Sequence, residues 1–199
     1  ISNYLLSELR FLSKILERYY LAAMGKEPDQ VPVVLYGSEP THAAFCGERL
    51  IDLYNDVSKM LRCQLNFIRR FPNALHGHFT LWPRMSGPGD GFPTAFGAEL
   101  AWTENSSPVT KPLIKDPKEI DDLKVPDPHK DGRLPLQLEA LRYYVENAPM
   151  DIREKYGLLD NYCYCPGGVE YAALLMGYNK FLLSFYLYPC LLYTSPSPR

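Results

Sequence analysis

The 199-residue chain predicts an α/β fold with a parallel sheet. Two observations carry the prediction. Short β-branched runs closed by glycine or proline alternate along the chain with longer stretches whose apolar residues recur at helical spacing. The composition, 46% hydrophobic and 22% charged, is that of an ordinary globular protein able to bury a core.

Taken in order, residues 4–24 (YLLSELRFLSKILERYYLAAM) show helical spacing, and Gly25 stands where a C-cap is expected. EPDQ is a polar turn. VPVVLYG (31–37) reads as a buried strand, with Pro32 suited to its first residues rather than its middle. The clearest helix covers 55–71: Asn55 or Asp56 caps it, and Val57, Met60, Leu61, Leu65 and Ile68 form one apolar stripe. A second strand is expected over 74–82, then a Gly/Pro-rich loop over 83–97 of a length that is usually functional or mobile. AELAWTEN (98–105) reads as a third strand. Residues 116–135 form a charged connector with one short helix, followed by a helix over 134–145. NYCYCPGG (161–168) has the pattern of a strand entering a glycine turn, and helices follow over 169–176 and 179–188.

Charge and cysteine usage narrow the function classes. Net charge is −2, and the densest basic spots, Arg69-Arg70 and Lys111/Lys115/Lys118, read as solvated faces; nucleic acid and anionic membranes are not expected partners. Five cysteines, an odd number, do not suggest a disulfide framework and point to a reducing, cytoplasmic setting. No apolar run reaches the ~20 residues of a membrane span; the longest, FLLSFYLYPCLLY (181–193), is broken by Pro189. The chain opens at Ile1, so the true N-terminus is expected to lie upstream. LLYTSPSPR (191–199) switches abruptly to a Ser/Pro tail that looks like translated adapter or vector sequence. The expected domain is therefore 1–189, with 190–199 a non-native tail and the natural C-terminal part absent.

Two of the four histidines, His76 and His78, fall two apart in ALHGHFTLWP (74–83). On a strand they would share a face. A His-x-His pair can hold zinc or iron, serve as polar site residues, or pack as core residues hydrogen-bonded to the backbone. EPTHAAFCG (39–47) places Glu39, His42 and Cys46 just after the first strand, where an α/β barrel carries active-site loops. Against that, Glu39 reads as a polar side chain on a surface loop and Cys46 as a buried thiol. Cys163-x-Cys165 is unlike redox or zinc-ribbon spacings and reads as two small buried residues. GPGDG (87–91) lacks the Lys-Ser/Thr of a phosphate loop, and neither a nucleophile elbow nor a dinucleotide fingerprint is present.

Three longer stretches, in order, resemble one family. YYLAAMGKEPDQVPVVLYG (19–37) is similar to the opening helix, turn and first barrel strand of the uroporphyrinogen decarboxylase superfamily. PLIKDPKEIDDLKVPDPHKDGRLPLQLEALR (112–142) resembles its connector and next helix. CPGGVEYAALLMGYNKFLLSFYLYP (165–189) resembles its later glycine turn and helices. The resemblance implies a (β/α)₈ TIM barrel with its site at the C-terminal strand ends, of which this chain holds about the N-terminal half.

The superfamily has two chemistries. True decarboxylases remove acetate carboxyls from uroporphyrinogen without a cofactor, using an Arg-Gln-Ala-Gly-Arg motif after the first strand and an aspartate on the next. Here the first position reads YGSEPTH (36–42), with no arginine, and the aspartate position falls at or near His78. Both departures, and softer likenesses in DGRLPLQLEALR and EYAALLMGY, favour the branch that resembles methylcobamide:coenzyme M methyltransferases. The resemblance then implies His78 and His76 as catalytic residues and Tyr36, Glu39, His42 and Tyr171 as substrate contacts. It also implies a small-molecule substrate and a corrinoid protein as partners. Zinc and a corrinoid are cofactors implied for the complete enzyme, with no metal or cofactor expected in this segment. Decarboxylation of uroporphyrinogen or a related substrate is the alternative, and a barrel that only binds is a third. A half barrel leaves strand edges unpaired. The 199-residue chain is therefore expected to self-associate in size-exclusion chromatography; a monodisperse, cooperatively melting monomer would contradict this.

Overall fold

The computed structural model describes residues 14–77, 80–85, 91–104, 106–156 and 167–188. The chain divides into two compact units: residues 1–84 with 139–163, and residues 85–138 with 164–199.

In the first unit, helix α1 (Lys14–Ala23) buries Leu16 and ends where Gly25, at φ +70°, donates to the Ala22 carbonyl. That left-handed glycine is the predicted C-cap. Strand β1 (Val34–Leu35) is shorter than its apolar run, and Pro32 lies outside it. Next come α2 (Glu39–Cys46), α3 (Leu50–Leu53) and α4 (Val57–Arg70), and then strand β2 (Leu75–His76). The two strands pair in parallel, Val34 opposite Leu75 and Leu35 opposite His76. A parallel partner needs a crossover, and the three helices supply it.

Helix α4 is positioned by its cap and its wide apolar face. The Asp56 carboxylate accepts from the Ser58 and Lys59 backbone N–H groups and from the Ser58 hydroxyl. Met60, Leu61, Leu65 and Ile68 are buried as the stripe predicts, but so are Cys63, Gln64 and Phe67, whereas Val57 stays partly exposed. Fully buried, Met60, Ile68 and Leu53 each stabilise the unit by ~2 kcal/mol. Helix α4 packs along α2, and helix α7 (Met150–Tyr156), not singled out from the sequence, packs on α1.

The second unit corrects one expectation. Helix α5 (Phe92–Ala95) precedes strand β3 (Leu100–Ala101), which does not extend a parallel sheet. It pairs antiparallel with β4 (Val109–Thr110), Leu100 opposite Thr110. The reason is local: the Thr103 hydroxyl accepts from the Ser106 backbone N–H, a side-chain turn that reverses the chain. The connector holds a 3₁₀ turn (Pro117–Asp122) capped by Asp116. Helices α8 (Gly168–Met176) and α9 (Tyr178–Leu187) match their predicted spans within a residue or two. Ala98, Ile114, Leu175 and Met176 form this unit's core cluster. Helix α6 (Leu134–Asn147) starts in the second unit and ends in the first. The predicted strand at 161–166, Cys163 and Cys165, and the tail 190–199 lie outside the described residues.

Asp56→Ala should remove about 1 kcal/mol of stability by exposing the first turn's donors. The Ser58 hydroxyl and the Lys59 N–H hold the Asp56 carboxyl below the usual carboxylate range. Its contribution is therefore present above the unfolded carboxylate pKa and lost as pH falls through the folded one. Urea melts of wild type and Asp56→Ala should converge under acid conditions; a constant difference down to full protonation would refute the cap.

Candidate functional site

The C-terminal ends of β1 and β2 meet at two glycines that have no room for a side chain. A Cβ on Gly37 would lie 2.1 Å from His42 Nε2, and one on Gly77 would lie 2.7 Å from the Tyr36 ring. The Gly77 N–H donates to the Leu35 carbonyl at 2.8 Å, and the Gly37 N–H to the Thr80 hydroxyl at 3.2 Å. Tyr36 thus lies over Gly77 while remaining two-thirds exposed.

The segment after β1 is a helix rather than a loop. Pro40 sits in the first turn of α2, where its missing N–H costs nothing, and Gly47 closes the helix at φ +67°. The helical turn carries Glu39 and His42 inward. Glu39, expected on a solvated surface loop, is buried, with Arg84 Nε 3.6 Å from its Oε1. Cys46, expected to be buried, is partly exposed because it ends the helix. His42 is fully buried, edge-on to Phe67 at 5.2 Å between ring centroids. Neither of its ring nitrogens has a hydrogen-bond partner among the described residues. Burial, with the nearby His76, lowers its pKa to about 4, so the ring is neutral at physiological pH.

His76 has a different environment. Its Nε2 lies 3.1 Å from the Phe71 carbonyl at the C-terminus of α4, and its ring packs between Phe67 and Tyr156. Burial lowers its pKa, and hydrogen bonds to the Phe71 and Ile68 carbonyls oppose that. A helix end buried against a strand needs such a donor for its last carbonyls. His78 lies outside the described residues. Tyr171 belongs to the second unit, where its ring lies 5.1 Å from Phe92.

Four residues not singled out from the sequence complete the site. The Tyr144 hydroxyl donates to Gln64 Oε1 at 2.7 Å, and Gln64 Nε2 donates to the Trp82 carbonyl at 2.9 Å. Burial, and behind it the Glu39 carboxylate, keep the Tyr144 pKa well above the usual phenol value. Arg84 and Thr80 are the others. Gln64 carried a readable signal, a polar residue inside an apolar helix face, because buried polar groups are nearly always bonded. Among the described residues, no three His, Cys, Asp or Glu side chains are grouped to hold a metal ion. No helix among them is long and apolar enough to cross a membrane.

The His42 shift has a sign that can be tested. Its folded pKa lies below the unfolded value of ~6.5, so stability is full above that pH and is lost progressively as pH falls through 4. The loss should be on the order of 3 kcal/mol, and His42→Gln should flatten the slope, leaving the smaller part due to His76. Equal pH slopes in wild type and variant would show that His42 titrates normally. Gly37→Ala should cost about 1–3 kcal/mol by forcing His42 aside; a variant melting with wild type would contradict the contact.

The comparisons with known proteins place the chain at family level. No curated protein matches the chain, and no solved structure does. Residues 15–153 match the uroporphyrinogen decarboxylase (URO-D) family model, a family whose fold is a TIM barrel. That match covers more than half of the chain and includes β1, β2 and every residue of the Glu39–His42–Gln64–Arg84–Tyr144 cluster, so the chain belongs to the uroporphyrinogen decarboxylase (URO-D) family.

Proposed function

We propose that the chain forms the first part of a URO-D-type barrel that performs corrinoid-linked methyl transfer on a small-molecule substrate seated at the ends of β1 and β2. One observation carries the reading: the polar groups gathered there are charge-balanced. Glu39 faces Arg84 at 3.6 Å, and burial lowers the pKa of both imidazoles. A substrate bearing many carboxylates calls for guanidinium forks. Here the Arg84 guanidinium already faces a carboxylate, and no arginine follows β1 in YGSEPTH.

On this reading Tyr36 offers an exposed ring to the substrate, and the two nitrogens of His42 supply a donor and an acceptor. Glu39 orients Arg84. His76 is a positioning residue that holds the end of α4. His78 remains a candidate catalytic residue by its place in the chain, and Tyr171 a candidate substrate contact. A corrinoid protein is the partner this chemistry requires. The described residues do not form a zinc site. Family membership itself favours a second reading, cofactor-independent decarboxylation of uroporphyrinogen or a related substrate.

Fluorescence titration with uroporphyrin separates the two. Wild type should bind this polycarboxylate weakly, and Glu39→Gln, which releases Arg84, about tenfold more tightly, a change of ~1.4 kcal/mol. Wild-type affinity equal to the variant's would overturn the charge argument. Release of CO₂ from uroporphyrinogen by the complete enzyme would establish the second reading.

A further inference from the structure

Helix α4 packs along α2, and side chains on successive turns of α2 touch it. His42 meets Phe67 at 5.2 Å, and one turn further along α2 Cys46 lies against Asn66, near enough to Cys63 for the two thiols to influence each other electrostatically. Asn66, one turn beyond Cys63 on α4, donates its Nδ2–H to Cys46 Sγ at 3.4 Å, which seats Cys46 against the stretch of α4 that carries Cys63. Cys63 is fully buried, whereas Cys46 is partly exposed at the end of α2. Among the described residues no third ligand joins them to make a metal site. Neighbouring thiols of unequal exposure suit stepwise oxidation.

We propose that Cys46 and Cys63 are a reversible oxidation site for small hydroperoxides, closing to a disulfide that staples the helix bearing Glu39 and His42 to α4. The exposed Cys46 reacts first. Its thiolate attacks one oxygen of hydrogen peroxide, the O–O bond breaks, and the departing hydroxide takes up a proton to leave as water. The sulfur is left as a sulfenic acid. Cys63 sulfur then attacks Cys46 sulfur, forming the S–S bond, and the displaced hydroxide leaves as a second water with the Cys63 proton. Two thiols lose two electrons and two protons, and one peroxide becomes two waters. Burial pushes the Cys63 thiol up to about 12, so Cys63 is not the sulfur that meets peroxide first. A dithiol reductant reverses the bond. The staple is independent of which substrate the strand ends take.

The test uses the whole 199-residue chain, native and urea-unfolded, treated with hydrogen peroxide, alkylated and digested with trypsin. Cleavage after Arg49 and Arg62 separates the two cysteines into peptides 27–49 and 63–69. The native chain should yield these peptides disulfide-linked, lighter by two hydrogens and separated by dithiothreitol, and melt at a higher temperature than the reduced chain. Cys63→Ala should instead leave Cys46 as a sulfenic acid trapped by dimedone, and Cys46→Ser should leave Cys63 unmodified. A native chain in which Cys46 is oxidised without linking to Cys63 would overturn the proposal. So would a spread of links to Cys163, Cys165 and Cys190 matching that of the unfolded chain.

Discussion

The fit of the His42 imidazole against the bare Cα of Gly37 governs the arrangement of the first unit. With 2.1 Å between Nε2 and the place a Cβ would occupy, only glycine can end β1 and still let α2 turn inward beside it. That seating buries His42 against Phe67 and fixes how α2 runs along α4. It also draws Glu39, three residues earlier on the helix, out of water and within reach of Arg84. One steric allowance at the strand end thus seats both His42 and Glu39.

Burial then decides the chemistry those side chains offer. A carboxylate removed from water is costly unless paired, and Arg84 meets that need for Glu39. The same burial keeps Tyr144 protonated as a donor to Gln64 and disfavours charge on both histidines. The network running from Tyr144 through Gln64 to the Trp82 carbonyl fixes the back of the site, because each buried donor or acceptor left unmet would cost ~1–3 kcal/mol. Among the described residues the strand ends thus carry a paired Glu39 and Arg84 and two imidazoles on which burial disfavours charge, with Tyr36 exposed beside them.

Much of this was legible in the sequence, and the exceptions have physical causes. The Asp56 cap, the α4 stripe, the glycine stop after α1 and the parallel pairing of the first two strands follow from local patterns. Glu39 was misread because a charged residue after a strand normally faces solvent, and its partner Arg84 lies 45 positions away with no local signal. Cys46 reads as a buried thiol and Cys63 carries no signal of its own, because only the packing of α2 along α4 brings them near each other. Strand β3 was assigned to the wrong kind of sheet because an apolar run does not declare its partner, and the Thr103–Ser106 turn decided it. His76 and His78 share a sequence motif, yet His76 serves the end of a helix, a use that two-residue spacing cannot reveal.

The central claim is that the strand ends hold a buried, uncharged imidazole fixed against glycine. Long-range ¹H–¹⁵N spectra of histidine-labelled chain, recorded across a pH series and assigned with His42→Gln, measure it directly. The account predicts that the His42 ring stays neutral well below pH 6 and titrates at about 4. Titration near the ordinary value of ~6.5 would mean that the ring is solvated, and the account of the site would fail with it.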